Sequence, residues 1–194
     1  MTRQLLLSAL LACGATLASA QLKKEDLQTK NTQSPGAETS VTIGGNQIWV
    51  YYHAPSVRGR HIFGAADSLQ PAGSIWRMGA DYATVLHTDA DLNINGLAVP
   101  KGDYALYADL DAGQWKLIVN KKLMAGARHI WGINMDGTTT NDATSELGRA
   151  AFTMSKPGAP VETLKISLGA TGPKAGKLTV EFENVVATVP FTVQ

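Results

Sequence analysis

About ten short runs of β-forming residues, at a spacing of about 8–12 residues and separated by turn signals, dominate this chain. Residues 39–43 alternate apolar with polar, Gly44-Gly45 signals a turn, and residues 47–53 are rich in Val, Ile, Trp and Tyr, so the pair predicts a hairpin. Residues 91–99 predict a second hairpin with Asn95-Gly96 at its tip, the strongest short hairpin signal. Residues 81–88, 104–109 and 114–120 read as strands, and in the last of these Trp115, Leu117 and Val119 share one face. Runs at 148–154, 161–168, 177–182 and 185–193 close the chain. No segment shows a convincing amphipathic helical period. The prediction is an all-β protein, an antiparallel β-sandwich of short strands with one long polar loop that begins at Pro55, where proline ends a strand. Residues 121–146 are the least regular, with a helical turn predicted at 122–126 and a short strand at 129–133.

The 194 residues fit one domain with extra segments. Residues 1–20 read as a signal peptide: Arg3 is the positive region, residues 5–18 the apolar region, and Ala18-Ser19-Ala20 the cleavage site, so the mature chain begins at Gln21. The apolar run is shorter than the roughly 20 residues of a membrane span, and no later segment is apolar enough to be one. An exported chain, periplasmic or secreted, is expected. A lipoprotein cut before Cys13 is the weaker reading, because the apolar run continues past that residue. Cys13 is the only cysteine, so the mature chain has no disulfide. Residues 21–36 form a flexible polar tether, with a short helix conceivable at 23–28, and residues 37–194 form the single domain. Without Arg3 the 17 basic residues become 16 and match the 16 acidic ones, which argues against a nucleic-acid or anionic-membrane partner.

The long loop collects the chemistry. Arg58, Arg60 and Arg77 can bind carboxylate, sulfate or phosphate through guanidinium forks. Their bland reading, which carries more weight, is loop pinning by Asp67, Asp81 or backbone carbonyls. Gly59 between two arginines predicts a sharp bend under both readings. Trp76, Tyr82 and Trp131 could form an aromatic platform, although core packing is the ordinary role of such rings. His53, His61, His87 and His129 are scattered without metal-ligand spacing, so neither a metal nor a cofactor is expected. No Gly-x-Ser-x-Gly motif or phosphate-cradling glycine loop occurs, and the only carboxylate pair worth weighing for glycosidase work is Asp81 with Asp67.

Several of these pieces together resemble a known family. They are Arg58-Gly59-Arg60, Ile62-Phe63-Gly64, Trp76-Arg77, Gly79-Ala80, Ala83-Thr84, Pro100-Lys101-Gly102-Asp103-Tyr104, Trp131-Gly132, and Leu147-Gly148-Arg149. In that order they resemble the exported bacterial family known as domain of unknown function 2911, over residues 37 to 193. The resemblance implies a β-rich fold and an exported location, and no activity. The chain departs from the family pattern after Ala80, where Asp81-Tyr82 stands in place of Asn-Glu; Tyr82 could not do a glutamate's acid–base work. Residues 65–69 and the segment around 122–129 look expanded.

Two functional readings follow. The first is a non-catalytic exported domain that binds a ligand or cell-envelope partner through Arg58, Arg60, His61, Trp76, Arg77 and Asp81. The alternative is a small hydrolase or lyase with Asp81 or His61 as acid/base and Arg77 steadying an anion.

Overall fold

The first hairpin forms where the glycine pair predicts it: β1 (Gly36–Ile43) turns into β2 (Asn46–His53), with Val41 opposite Ile48. The computed structural model describes Leu27 and residues 33–125, 129–130, 132–134 and 137–194. The predicted signal peptide at residues 1–20 with its Cys13, and nearly all of the 23–28 segment, lie outside these residues, as does Trp131.

Three two-residue strands punctuate the long loop, β3 (Phe63–Gly64), β4 (Gln70–Pro71) and β5 (Ile75–Trp76). Then come β6 (Thr84–Thr88), the hairpin β7 (Leu92–Ile94) and β8 (Leu97–Val99), β9 (Gly102–Asp109) and β10 (Lys116–Asn120). β11 (Met124–Ala125) pairs with β12 (His129–Ile130). The chain closes with β13 (Glu146–Ala151), β14 (Thr153–Ser155), β15 (Val161–Gly172), β16 (Ala175–Glu183) and β17 (Val185–Val193).

Two antiparallel sheets pack face to face, as the strand pattern predicts. The first runs β1-β2-β6-β9-β10-β13, with β5 beside β9 beyond the end of β6. The second runs β15-β16-β17-β7-β8, with β14 beside β17. Ile48, Val50, Leu106, Leu117 and Val119 of the first sheet meet Leu178, Val180, Val189 and Phe191 of the second. Alternation is clean in β16, which has one solvated face. It is absent from β6, where all five residues are buried, because the outer face of the first sheet is covered too. There Trp49 and Val85 pack with Leu27, while Ala105, Tyr107 and Ile118 pack with Ala83.

Three sequence expectations need correction. The strand predicted at 81–88 starts only at Thr84, because Asp81 sits at φ 58° and breaks the extended run. The helical turn predicted at 122–126 is not helical at Met124–Ala125, which pair as a strand. The strand predicted at 148–154 is two strands. β13 belongs to the first sheet and β14 to the second, and the chain crosses between them at Phe152, whose N–H donates to the Trp115 carbonyl at 2.9 Å.

Along one side of the sandwich the two sheets are tied through β15. The Leu164 amide donates to the Pro55 carbonyl at 2.9 Å, Ile166 to the Tyr52 hydroxyl at 3.0 Å, and Leu168 to Thr39 Oγ1 at 3.0 Å. The Glu162 carbonyl accepts from the Val57 amide at 2.7 Å. Every second residue of this stretch is therefore satisfied from the opposite sheet or the loop that follows it.

Candidate functional site

Residues 57–60 make a tight reversal. The Arg60 amide donates to the Val57 carbonyl at 3.1 Å, and the two central residues, Arg58 and Gly59, have φ of 50° and 69°. Positive φ at both central positions is a type I′ turn, which explains the glycine and makes Arg58 an unusual occupant. Each arginine is then tied to the chain. Arg60 folds back to donate to Val57 and Ser56 carbonyls at 3.0 and 2.7 Å. Arg58 donates through its side chain to Gln33, and its amide donates to Glu162 Oε1 at 2.9 Å.

The second half of the loop is drawn down onto the end of β2. The Ala80 amide donates to the His53 carbonyl at 3.1 Å, and the Thr84 amide to the Arg77 carbonyl at 3.0 Å. Gly79 passes so close that a Cβ there would stand 2.9 Å from the His53 carbonyl oxygen. Met78 and Asp81 both hold positive φ, 56° and 58°. With Arg58, three non-glycine residues in this one stretch occupy a disfavoured backbone region, each costing about 1–3 kcal/mol, a pattern typical of functional sites.

Between these two parts of the loop and residues 137–143 lies a cleft of about 920 Å³. Arg58, Arg60 and Arg77 line it, and Arg149 enters from β13. Ile62, Trp76 and Phe182 supply apolar wall. The far wall is set by Asn120, a fully buried residue on the outer face of β10. Its amide donates to Asn141 Oδ1 at 2.8 Å and to the Asp142 carbonyl at 2.9 Å, and Asp142 caps the 3-10 turn Ala143–Ser145.

The four arginines differ in what holds them. Arg149 is fully committed: Nε and Nη2 donate to both oxygens of Glu146 at 2.8 Å, and Nη1 to Asp109 at 2.7 Å. These hydrogen bonds, that to Glu146 foremost, raise the Arg149 pKa. Arg58, Arg60 and Arg77 make no ion pair among the described residues. Arg77 Nη1 donates to the Gly137 carbonyl at 3.3 Å and Thr139 Oγ1 at 3.1 Å, while Nε is buried without a partner among the described residues. Burial pushes the Arg77 guanidinium below its ordinary value, against the opposing fields of Asp81 and Tyr107. It remains a cation, as arginine does in proteins.

Of the six candidates named from the sequence, Arg58, Arg60, Trp76 and Arg77 thus line one cleft. Trp76 is only 3% exposed and packs between Phe63, edge-on at 5.1 Å, and Phe182, stacked at 6.3 Å. Asp81 and His61 do not line the cleft. Asp81 Oδ2 lies 2.5 Å from His53 Nδ1, and His61, 87% exposed, stands 3.8 Å from Glu183. Tyr82 packs in the outer cluster with Trp49, apart from the intersheet core that holds Trp76. Asp67 is exposed. Among the described residues no cluster of three His, Cys, Asp or Glu is placed to hold a metal ion.

The sequence profile of the family described as "Protein of unknown function (DUF2911)" matches residues 34–191. The chain belongs to the DUF2911 family. The match takes in both sheets and every residue lining the cleft except Gln33. No curated protein and no solved structure matches the chain. Within this DUF2911 domain, reading the sequence missed the second wall, formed by Thr139, Asn141 and Arg149. Only Arg149 carried a signal, as part of Leu147-Gly148-Arg149; the Thr-rich stretch reads simply as loop.

Proposed function

We propose that this chain is an exported, non-catalytic β-sandwich domain that binds an anionic ligand in the cleft bordered by the loop from Arg58 to Ala80. One contrast carries the reading. Arg149 is neutralised by two carboxylates, whereas Arg58, Arg60 and Arg77 present three cations to the same cleft with only neutral oxygens as partners. A cleft lined by one sign of charge concentrates oppositely charged ligands. The volume suits a small-molecule ligand or the end of a larger envelope component. Acid–base chemistry receives no comparable support, because Asp81 and His61 stand with different partners outside the cleft.

A thermal-shift panel of sulfate, phosphate, organic carboxylates and peptidoglycan fragments tests the reading. A ligand at 100 times its Kd stabilises the fold by about 2.7 kcal/mol, an easily measured rise in Tm. The double variant Arg58→Ala/Arg60→Ala keeps its fold and loses that rise. No anion-dependent shift in the unmodified protein would sink the proposal. Export is checked by sequencing the N-terminus of chain recovered from outside the cytoplasm, with Gln21 expected first.

A further inference from the structure

Arg77 is anchored by one nitrogen, and the donors along one edge are unused. Nη1 is used by Gly137 and Thr139, Nε is buried with no acceptor, and Nη2 makes no hydrogen bond among the described residues. The unused donors therefore lie along the Nε–Nη2 side of the guanidinium. That side offers two parallel N–H groups in a plane, the geometry that two coplanar oxygens of one carboxylate accept. A buried donor on a cation calls for an acceptor, and the described chain supplies none. A second buried group, the Tyr107 hydroxyl, also lacks a partner among the described residues and lies within electrostatic reach of Arg77. One stretch of the cleft wall is suited to carbon. Leu69, 50% exposed at the cleft edge, and the part-buried Pro71 and Ile75 line it, above the buried Ile62, Trp76 and Phe182.

We infer that the cleft takes a carboxylate attached to an apolar body, held side-on by the Nε–Nη2 edge of Arg77 with the body along Leu69, Pro71 and Ile75. The inference rests on the anion-binding reading above and adds the ligand class. A phosphate monoester can take the same two donors, but its third oxygen and second charge then find no donor on this edge, so a carboxylate matches it better.

Calorimetric titration of the protein with octanoate, octyl phosphate, octanol and inorganic phosphate tests it. Octanoate is expected to bind, octanol not at all, and octyl phosphate at least tenfold more weakly than octanoate. Arg77→Lys keeps the charge but not the two-donor edge, and is expected to weaken octanoate at least tenfold. A second readout needs no variant: the Nε–Hε resonance of Arg77 in the unmodified protein moves on adding octanoate. Octyl phosphate binding as tightly as octanoate, an Arg77→Lys variant with unchanged octanoate affinity, or an unmoved Nε–Hε resonance at saturation would each overturn the carboxylate assignment. In those cases the anion-binding reading still stands if phosphate or octyl phosphate binding is lost in Arg58→Ala/Arg60→Ala. If no anion binds, both fall.

Discussion

Glu146 shows how one side chain decides what a neighbouring cation can do. Burial raises its pKa, but the Arg149 fork and the Asn141 amide at 2.6 Å more than offset this, and the net value lies below the ordinary 4.5. A carboxyl whose pKa falls on folding stabilises the native state above the unfolded pKa, and that stabilisation is lost as pH drops through the folded pKa. Melting temperature should therefore fall on acidification below about pH 4.5, and the fall should be shallower in Glu146→Gln, which has no proton to take up. At neutral pH the same variant should cost about 1 kcal/mol, modest because Arg149 is about a third exposed. Equal acid sensitivity in the two proteins would count against this account. The arginines of the loop were legible by type, since three guanidinium groups in a polar stretch suggest anions. That a fourth arginine, Arg149, enters the same cleft already neutralised was not legible, because the cleft joins segments far apart in the chain and one of its two carboxylates, Asp109, lies 40 residues away.

Among the elements, the run from Glu146 to Ser155 carries the sandwich from one sheet to the other. Its sequence shows an unbroken β-forming run, so nothing local marks the crossing. The break is set by tertiary partners: the Phe152 amide goes to Trp115, and its carbonyl accepts from the Gln114 side chain at 2.5 Å. The Phe152 ring is buried in the core between sheets. Phe152→Ala should cost about 3–5 kcal/mol in chemical denaturation, the range for deleting a buried aromatic side chain. A loss below about 1 kcal/mol would mean that the crossing is held by its backbone bonds alone. Hairpins were readable because their turns are local, as with Asn95-Gly96 between β7 and β8. β6 was misplaced at its start because a strand covered on both faces has no alternation to show where it begins.

For the whole molecule, Cys13 is the sole cysteine, so no disulfide can close within one chain. Its stability rests on the contact between sheets and on the covered outer face around Trp49 and Tyr107. Adding dithiothreitol should leave the melting temperature unchanged; a drop would reveal a covalent link between copies. The side of the sandwich along β15 has a further consequence. An outer strand ordinarily offers a row of open amides that a foreign strand can zip onto, the first step toward fibrils. Here Leu164, Ile166 and Leu168 have already given their amides to Pro55, Tyr52 and Thr39. A neighbouring molecule arriving at residues 164–168 finds no row of open amides to copy, so crowding does not readily recruit this part of the border into a growing sheet.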